Sequence, residues 1–402
     1  MLAVDSLASM WQDVAPCWPY LLASAVLLFA VRLWCRKMYV YKDLTHFDVS
    51  CAEPSAGRDV GALPPVFPNG WFRIMMSEDL QPGQVAFRQY LGRKLAVFRT
   101  ESGKAHILDA YCPHLGANLG VGGKVVGECL RCPFHDWEFQ GDGKCTKIPY
   151  SDAKIMPEST SAKSYICEEY NDMICMWYHA EGVEPFWTPV LFPELHNHEA
   201  VFHGYAQHKL ACHIQEMPEN GADVAHLNTL HSSFIYRLLD KLGFKHYWTA
   251  SWEKGNEEED KHLTYMTVTE DMTFLGYKIP GTHFDVKINQ IGPGFVVLCF
   301  DTLFGKVTVS QSVTPAGPLE QVAIHAVYAA RTVPRPVAKF ILDGLIRQFE
   351  RDIPIWNNKT YQKQPALVKG DGPIAEFRRW FSQFYTENSP TFHSVMKKSL
   401  DW

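Results

Sequence analysis

The chain has 402 residues, enough for two domains of ordinary size, and its 47% hydrophobic and 20% charged residues are typical of a folded protein. A net charge of -6, with no basic run longer than two residues, argues against nucleic-acid binding. The 11 cysteines follow no framework spacing, which argues against a disulfide-stapled secreted domain and favours a reducing compartment.

An apolar segment lies near the N-terminus. Residues 14–31 are uncharged, which is just long enough to cross a bilayer as a helix. No basic residue precedes the segment, unlike a cleaved signal peptide, whereas Arg32 and Lys37 follow it. We therefore expect a membrane anchor over 1–45, with a transmembrane helix at about 14–34, that leaves the rest of the chain in the cytosol. A buried helix of a soluble domain is the alternative.

A linker and a region of short strands follow. Prolines and glycines over 46–69 discourage regular structure. From 70 to 180 the sequence alternates in short apolar segments with turn signals, for example at Leu91-Gly92. The pattern predicts an all-β domain over 70–180.

Two pairs of metal-ligating side chains lie in this β domain. Cys112-Pro-His114 and Cys132-Pro-Phe-His135 each supply one thiolate and one imidazole. Structural zinc sites usually keep like ligands together, whereas two cysteines and two histidines are the ligands of a mixed [2Fe–2S] cluster. We therefore favour the cluster, with a zinc knuckle as the alternative.

The loops around these ligands carry a further cysteine and several glycines. Cys129 has no partner in the pattern and is expected to be a buried thiol. Four glycines are expected to turn the chain at positive φ around the cluster: Gly116, Gly120, Gly122 and Gly123.

A second set of polar residues follows in EMPENGADVAHLNTLH, residues 216–231. His226 and His231 are five residues apart, so on a regular helix they would point about 140° away from each other. A π-bulge or a helix end between them would bring both to one metal. A mononuclear iron site also needs a carboxylate on the same face.

That carboxylate is predicted in a late helix. Asp352 falls on an apolar stripe with helical spacing that includes Ile341, Leu345 and Phe349. A buried carboxylate without a partner costs several kcal/mol, which a bound cation would offset. An N-cap or turn aspartate ahead of Pro354 is the alternative. The strands predicted between the two metal-site segments would form an antiparallel sheet around this helix, in a catalytic domain over 181–402.

The first pattern resembles the Rieske family, and Asn220, Asp223, His226 and His231 match the Asn-x-x-Asp-x-x-His-x4-His segment of Rieske oxygenases. The resemblance implies a helix-grip (START-like) α+β catalytic domain, with His226, His231 and Asp352 on a mononuclear Fe(II). It also implies a head-to-tail homotrimer in which Asp223 passes electrons from the cluster of one subunit to the iron of its neighbour. No dinucleotide fingerprint is present, so a separate NAD(P)H-dependent reductase or ferredoxin is expected.

The order of an N-terminal apolar segment, CPHLGAN...CPFHDWEF and ENGADVAHLNTLH resembles the Neverland family of animal cholesterol 7-desaturases. This resemblance implies conversion of cholesterol to 7-dehydrocholesterol with O₂, in a membrane that we expect to be the endoplasmic reticulum. Three alternatives remain at this point. They are a Rieske sterol hydroxylase resembling 3-ketosteroid 9α-hydroxylase, a membrane-anchored sterol-binding or transfer protein, and a membrane-held electron carrier.

Overall fold

A computed structural model of the chain describes residues 18–45, 60–152, 156–233 and 237–400. Helix α1 (Trp18–Cys35) leads directly into strand β1 (Met38–Asp43). Within these ranges, no helix is both long enough and apolar enough to cross a membrane. The first four residues of the predicted apolar span, 14–17, lie outside the described residues.

Strand β1 changes the predicted role of the N-terminal segment. It pairs in parallel with a strand of the catalytic domain, with Met38 opposite Gly204 and Asp43 opposite Lys209. Part of the predicted anchor over 1–45 therefore belongs to the catalytic sheet. The prediction missed this strand because the partner lies far away in sequence, and only tertiary folding brings the two together.

Small antiparallel sheets build the region between Gly70 and Tyr178. Their orders are β10-β5-β4-β3, β11-β12-β2 and β6-β7-β8-β9. The predicted turn at Leu91-Gly92 is confirmed, with both residues at positive φ, and joins β3 to β4. The strands are β2 Gly70–Met76, β3 Val85–Tyr90, β4 Arg93–Arg99, β5 Ala105–Asp109, β6 Lys124–Val126, β7 Cys129–Arg131, β8 Glu138–Phe139, β9 Cys145–Lys147, β10 Ser164–Tyr165, β11 Cys167–Tyr170 and β12 Met173–Tyr178.

A large sheet forms the second half of the molecule, in the order β1-β13-β20-β19-β18-β17-β15-β14, with β16 paired to β15. All its pairs are antiparallel except β1 with β13, so the predicted antiparallel sheet is in fact mixed. Its remaining strands are β13 Ala200–Ala211, β14 Phe244–Lys254, β15 Leu263–Phe274, β16 Tyr277–Lys278, β17 Phe284–Ile291, β18 Phe295–Thr302, β19 Gly305–Gly317 and β20 Glu320–Ala330.

A long helix packs against this sheet and continues through a proline. Ala338, Leu342 and Ile346 of the helix are buried against apolar residues of β13, β19 and β20. The helix includes Asp352 and Pro354, so Asp352 is a residue of the helix interior rather than a cap or turn aspartate. The helices are α2 Pro193–His196, α3 Glu216–Glu219, α4 Val224–Leu230, α5 Arg237–Lys241, α6 Arg335–Asn358, α7 Ile374–Ser382 and α8 Phe392–Leu400.

Candidate metal centres and substrate pocket

The four predicted cluster ligands meet between two loops, one after β5 and one between β7 and β8. Cys112 and Cys132 are buried, and their thiols lie within hydrogen-bonding reach. The rings of His114 and His135 lie 4.7 Å apart between centroids. The two cysteines are thus buried, and the two histidines beside them are half-buried.

These side chains fit a metal cluster. Burial, followed by the neighbouring Cys132 thiol, raises the pKa of Cys112 to about 12, so a cationic partner is needed to hold the Cys112 sulfur as a thiolate. The Nδ1 atom of His114 is buried and has no hydrogen-bond partner among the described residues. A metal ion would supply the missing partner of this nitrogen.

The loop predictions are correct only in part. Gly116 and Gly122 have positive φ, of 74° and 83°. Gly120 and Gly123 do not, and close contact explains these two glycines instead, because a Cβ at Gly123 would lie 2.1 Å from the Leu119 carbonyl oxygen. The prediction of a buried thiol at Cys129 is wrong, because this first residue of the short strand β7 is half-buried, with its sulfur 3.6 Å from the Thr146 hydroxyl.

The three residues predicted to bind the mononuclear iron come together at the end of α4. His226 lies in α4, His231 caps the C-terminus of this helix, and Asp352 comes from α6. The ligand atoms of these three residues all lie within 4.8 Å of one another. Of the two local geometries considered for the histidines, the structure has the helix end, with His231 at φ -102° and ψ 4°.

Hydrogen bonds fix the ring orientation of both imidazoles, His226 and His231. Nδ1 of His226 donates to the Asp223 carbonyl at 2.5 Å, and Nδ1 of His231 donates to Oε1 of Gln348 at 3.0 Å. In a neutral imidazole with this hydrogen bond, Nε2 is the unprotonated nitrogen that a metal requires, and Nε2 of His231 lies 3.2 Å from Oδ1 of Asp352. Gln348 was missed in the sequence, although its position four residues before Asp352 on one helix face would have pointed to it.

Asp223 and Asn220 lie beside this group. The Asp223 carboxylate caps α4, accepting from the backbone N–H groups of Ala225 and His226 at 3.1 and 3.2 Å. Its side chain is 32% exposed. Asn220 caps α3 and lines the neighbouring pocket.

A cavity of about 620 Å³ opens onto the three ligand side chains, between α6 and the large sheet. This volume is within the range of small-molecule pockets, roughly 300–1,000 Å³. Most of its wall is apolar, because alternate residues of β15, β17 and β18 face inward. These residues include Met266, Val268, Met272, Phe284, Val286, Ile288, Val296, Leu298 and Phe300.

Two family models match different parts of the chain. Residues 70–165 match the family described as "Rieske [2Fe-2S] domain", and residues 176–385 match "3-Ketosteroid 9alpha-hydroxylase C-terminal domain". The crystal structure of dicamba monooxygenase bound to dicamba has the same fold, with a TM-score of 0.59 and 16% identity, over 80% of this chain and 98% of that one.

Two relatives bear on the type of oxygenase. Cholesterol 7-desaturase nvd of Xenopus laevis is 44% identical over 85% of this chain and 77% of its own length. The oxygenase component of 3-ketosteroid-9-alpha-monooxygenase from Rhodococcus rhodochrous is 29% identical over 82% of this chain and 86% of its own length. The predicted Rieske resemblance and its two iron cofactors are thus confirmed, and the chain belongs to the Neverland family of cholesterol 7-desaturases, which are Rieske oxygenases.

Proposed function

We propose that this protein is a cholesterol 7-desaturase. It removes the hydrogens at C7 and C8 of cholesterol and forms 7-dehydrocholesterol. Two hydrogens from the sterol, with two electrons and two protons from outside, reduce one O₂ to two waters. The outside electrons come from NAD(P)H through a separate reductase or ferredoxin. The observation that carries the proposal is the apolar cavity of about 620 Å³ that ends on three metal-ligating side chains.

We assign His226, His231 and Asp352 as the iron ligands, and Cys112, His114, Cys132 and His135 as the cluster ligands. A mononuclear iron held by these two histidines and one carboxylate would supply the binding and reduction of O₂. The protein contributes the fixed tautomer of each imidazole, through the Asp223 carbonyl and Gln348. The apolar wall excludes water and holds the sterol rings.

Analysis of the product tests the reaction. The purified protein, with a reductase and NADH, is incubated with cholesterol, and the sterols are measured by mass spectrometry. A product lighter by two hydrogens supports desaturation, and a product heavier by one oxygen supports a hydroxylase. If the protein binds cholesterol but does not convert it, the result supports a transfer protein. In that case His226→Ala should leave cholesterol transfer unchanged.

Electron delivery between subunits is part of the proposal. The half-buried imidazoles lie next to exposed apolar side chains, Leu115 at 65%, Phe134 at 62% and Tyr150 at 63%. Exposed apolar patches of this kind mark protein contacts. We place the neighbouring subunit of a homotrimer here, with its copy of Asp223 as the bridge to its iron.

Replacing Asp223 by Asn tests the bridge. Asparagine is as good an N-cap as aspartate, so α4 and the iron content should be preserved. Loss of the carboxylate should lower turnover about 100-fold, the effect of removing a positioned carboxylate from a proton-coupled step. Metal analysis and steady-state assays give the two quantities, and full turnover in the variant would place the bridge at another residue.

A membrane location is also proposed, with the catalytic part in the cytosol and the endoplasmic reticulum as the expected compartment. Leu22, Val26, Leu27 and Leu28 of α1 are all at least 55% exposed. Large exposed apolar surfaces favour a membrane or a protein partner. Flotation of the full chain with phospholipid vesicles tests the location, and failure to float would oppose it.

A further inference from the structure

A histidine and a glutamate form a buried pair in the wall of the pocket. His246 on β14 and Glu270 on β15 are 7% and 5% exposed, and both line the cavity. Nδ1 of His246 donates a hydrogen bond to Oε1 of Glu270. The two residues lie diagonally across neighbouring strands, because Glu270 is directly opposite Trp248.

Neither residue belongs to the metal-binding groups described above. The three ligand side chains at the mononuclear site are His226, His231 and Asp352. Burying a carboxylate costs several kcal/mol unless it is paired, and a well-packed apolar pair is often as stable as a buried ionic one. Fold stability alone therefore gives no reason to keep this pair in a wall of methionine, valine and phenylalanine side chains.

The position of the pair relative to the iron ligands is fixed by hydrogen bonds. The backbone N–H of His246 donates to the carbonyl of Ser232, the residue after His231, at 2.7 Å. The indole of Trp248 donates to the carbonyl of His231 at 3.1 Å and stacks on the His246 ring, with 5.5 Å between centroids. The pair thus lies in the pocket wall next to the loop that carries an iron ligand.

An apolar pocket alone can hold a sterol but cannot set its orientation. Small-molecule sites fix orientation with a few placed polar groups, and attack at one carbon requires placement within a fraction of an ångström. Cholesterol has a single polar group, the 3-hydroxyl of ring A, and C7 lies in the adjoining ring B. A polar anchor beside the iron site is therefore what selection of C7 requires.

We infer that His246 and Glu270 are the subsite that binds the 3-hydroxyl of the sterol and thereby directs C7 and C8 toward the iron ligands. This inference rests on the proposed function. A hydroxyl donates to the Glu270 carboxylate, whereas a 3-ketone has no hydrogen to donate. The pair therefore selects 3-hydroxysterols over 3-ketosteroids, the compounds named for the Rhodococcus relative.

Equilibrium binding of three sterols tests the subsite without relying on turnover. Cholesterol, 5-cholestene, which lacks the oxygen, and 5-cholesten-3-one are titrated into the iron-loaded full chain. The wild type should bind cholesterol about 10- to 100-fold more tightly than the other two, the value of a hydrogen bond to a charged group. In His246→Phe/Glu270→Met the three affinities should become equal within about threefold.

Thr273→Val is the matched control, because Thr273 is buried on the same strand as Glu270 but lies outside the lining of the pocket. This variant should keep the preference for cholesterol. The cluster absorption spectrum and the melting temperature check that each variant folds. If the double variant does not fold, Glu270→Gln replaces it, and the preference for cholesterol should then fall about fivefold.

A folded variant that keeps the full preference for cholesterol would overturn the inference. A wild type that binds all three sterols equally would overturn it as well. A wild type that binds none of them would instead contradict the proposed function, so the two failures are distinguishable.

Discussion

At the scale of single residues, the candidate iron site depends on a hydrogen-bond acceptor, Gln348, that is not itself one of the proposed metal ligands. Gln348 accepts from Nδ1 of His231 at 3.0 Å, and the same oxygen accepts from Arg351 at 2.9 Å. The glutamine thus selects the tautomer of His231 and holds the plane of its ring. Loss of such an outer partner typically weakens metal binding 10- to 100-fold.

We therefore predict that Gln348→Leu lowers the affinity for Fe(II) by about 10- to 100-fold while the cluster remains. Fe(II) titration of the iron-stripped mononuclear site measures the affinity, and the visible spectrum measures the cluster. Gln362→Leu is the control, since Gln362 is exposed beyond the end of α6 and should leave both unchanged. An unchanged Fe(II) affinity in Gln348→Leu would show that Gln348 does not orient His231 for metal binding.

At the scale of elements, the loop after β5 depends on two kinds of glycine. Gly116 has a positive φ and open space around its Cα, whereas Gly123 has an ordinary φ and no space for a side chain. The sequence alone does not distinguish a glycine needed for positive φ from one needed for close contact, because the residue is glycine in both cases. The structure separates them by the distance to the Leu119 carbonyl.

We predict that Gly123→Ala destabilises the cluster loops by about 1–3 kcal/mol, the cost of overpacking, and lowers cluster occupancy. Gly116→Ala, the matched variant, should cost about 1 kcal/mol through backbone strain and keep the cluster. Iron and sulfide analysis of the purified variants, with thermal melting, compares them. Equal occupancy and equal melting temperatures would contradict the distinction.

At the scale of the whole molecule, the cluster-bearing and catalytic halves share one apolar core. Phe72 and Ile74 of β2 belong to the same buried cluster as Leu210 of β13 and Trp356 of α6. The two halves are thus not joined only by a linker. A substitution in one half should destabilise the other, because core packing is close throughout.

We predict that Leu210→Ala lowers the stability of the entire chain by about 2–5 kcal/mol. Leu210 is fully buried in the catalytic half, yet the temperature of cluster loss should fall together with the far-ultraviolet transition. Leu242→Ala, at a position 54% exposed, should change neither. If the cluster were lost at the wild-type temperature in Leu210→Ala, the two halves would be independent.

The predictions from sequence succeeded where the determining interactions are local. The Cys-x-His and Cys-x-x-His pairs indicate a Rieske cluster because the short spacing within each loop already combines one thiolate with one imidazole. The same holds for the turn at Leu91-Gly92 and for the helix end between His226 and His231. Helical periodicity also placed the Asp352 carboxylate on an apolar face, and in the structure this residue is buried on α6.

Other features exist only once distant segments meet. Strand β1 joins β13 in parallel across more than a hundred residues, which no local pattern encodes. The Gln348 contact and the pairing of His246 with Glu270 depend on how α6 and two neighbouring strands face one cavity. The sequence by itself therefore determined which metals this protein holds, since ligand type and spacing are local. The tertiary structure decided how the pocket orients a substrate toward the metal-binding residues, since the burial and orientation of the pocket side chains arise only from packing.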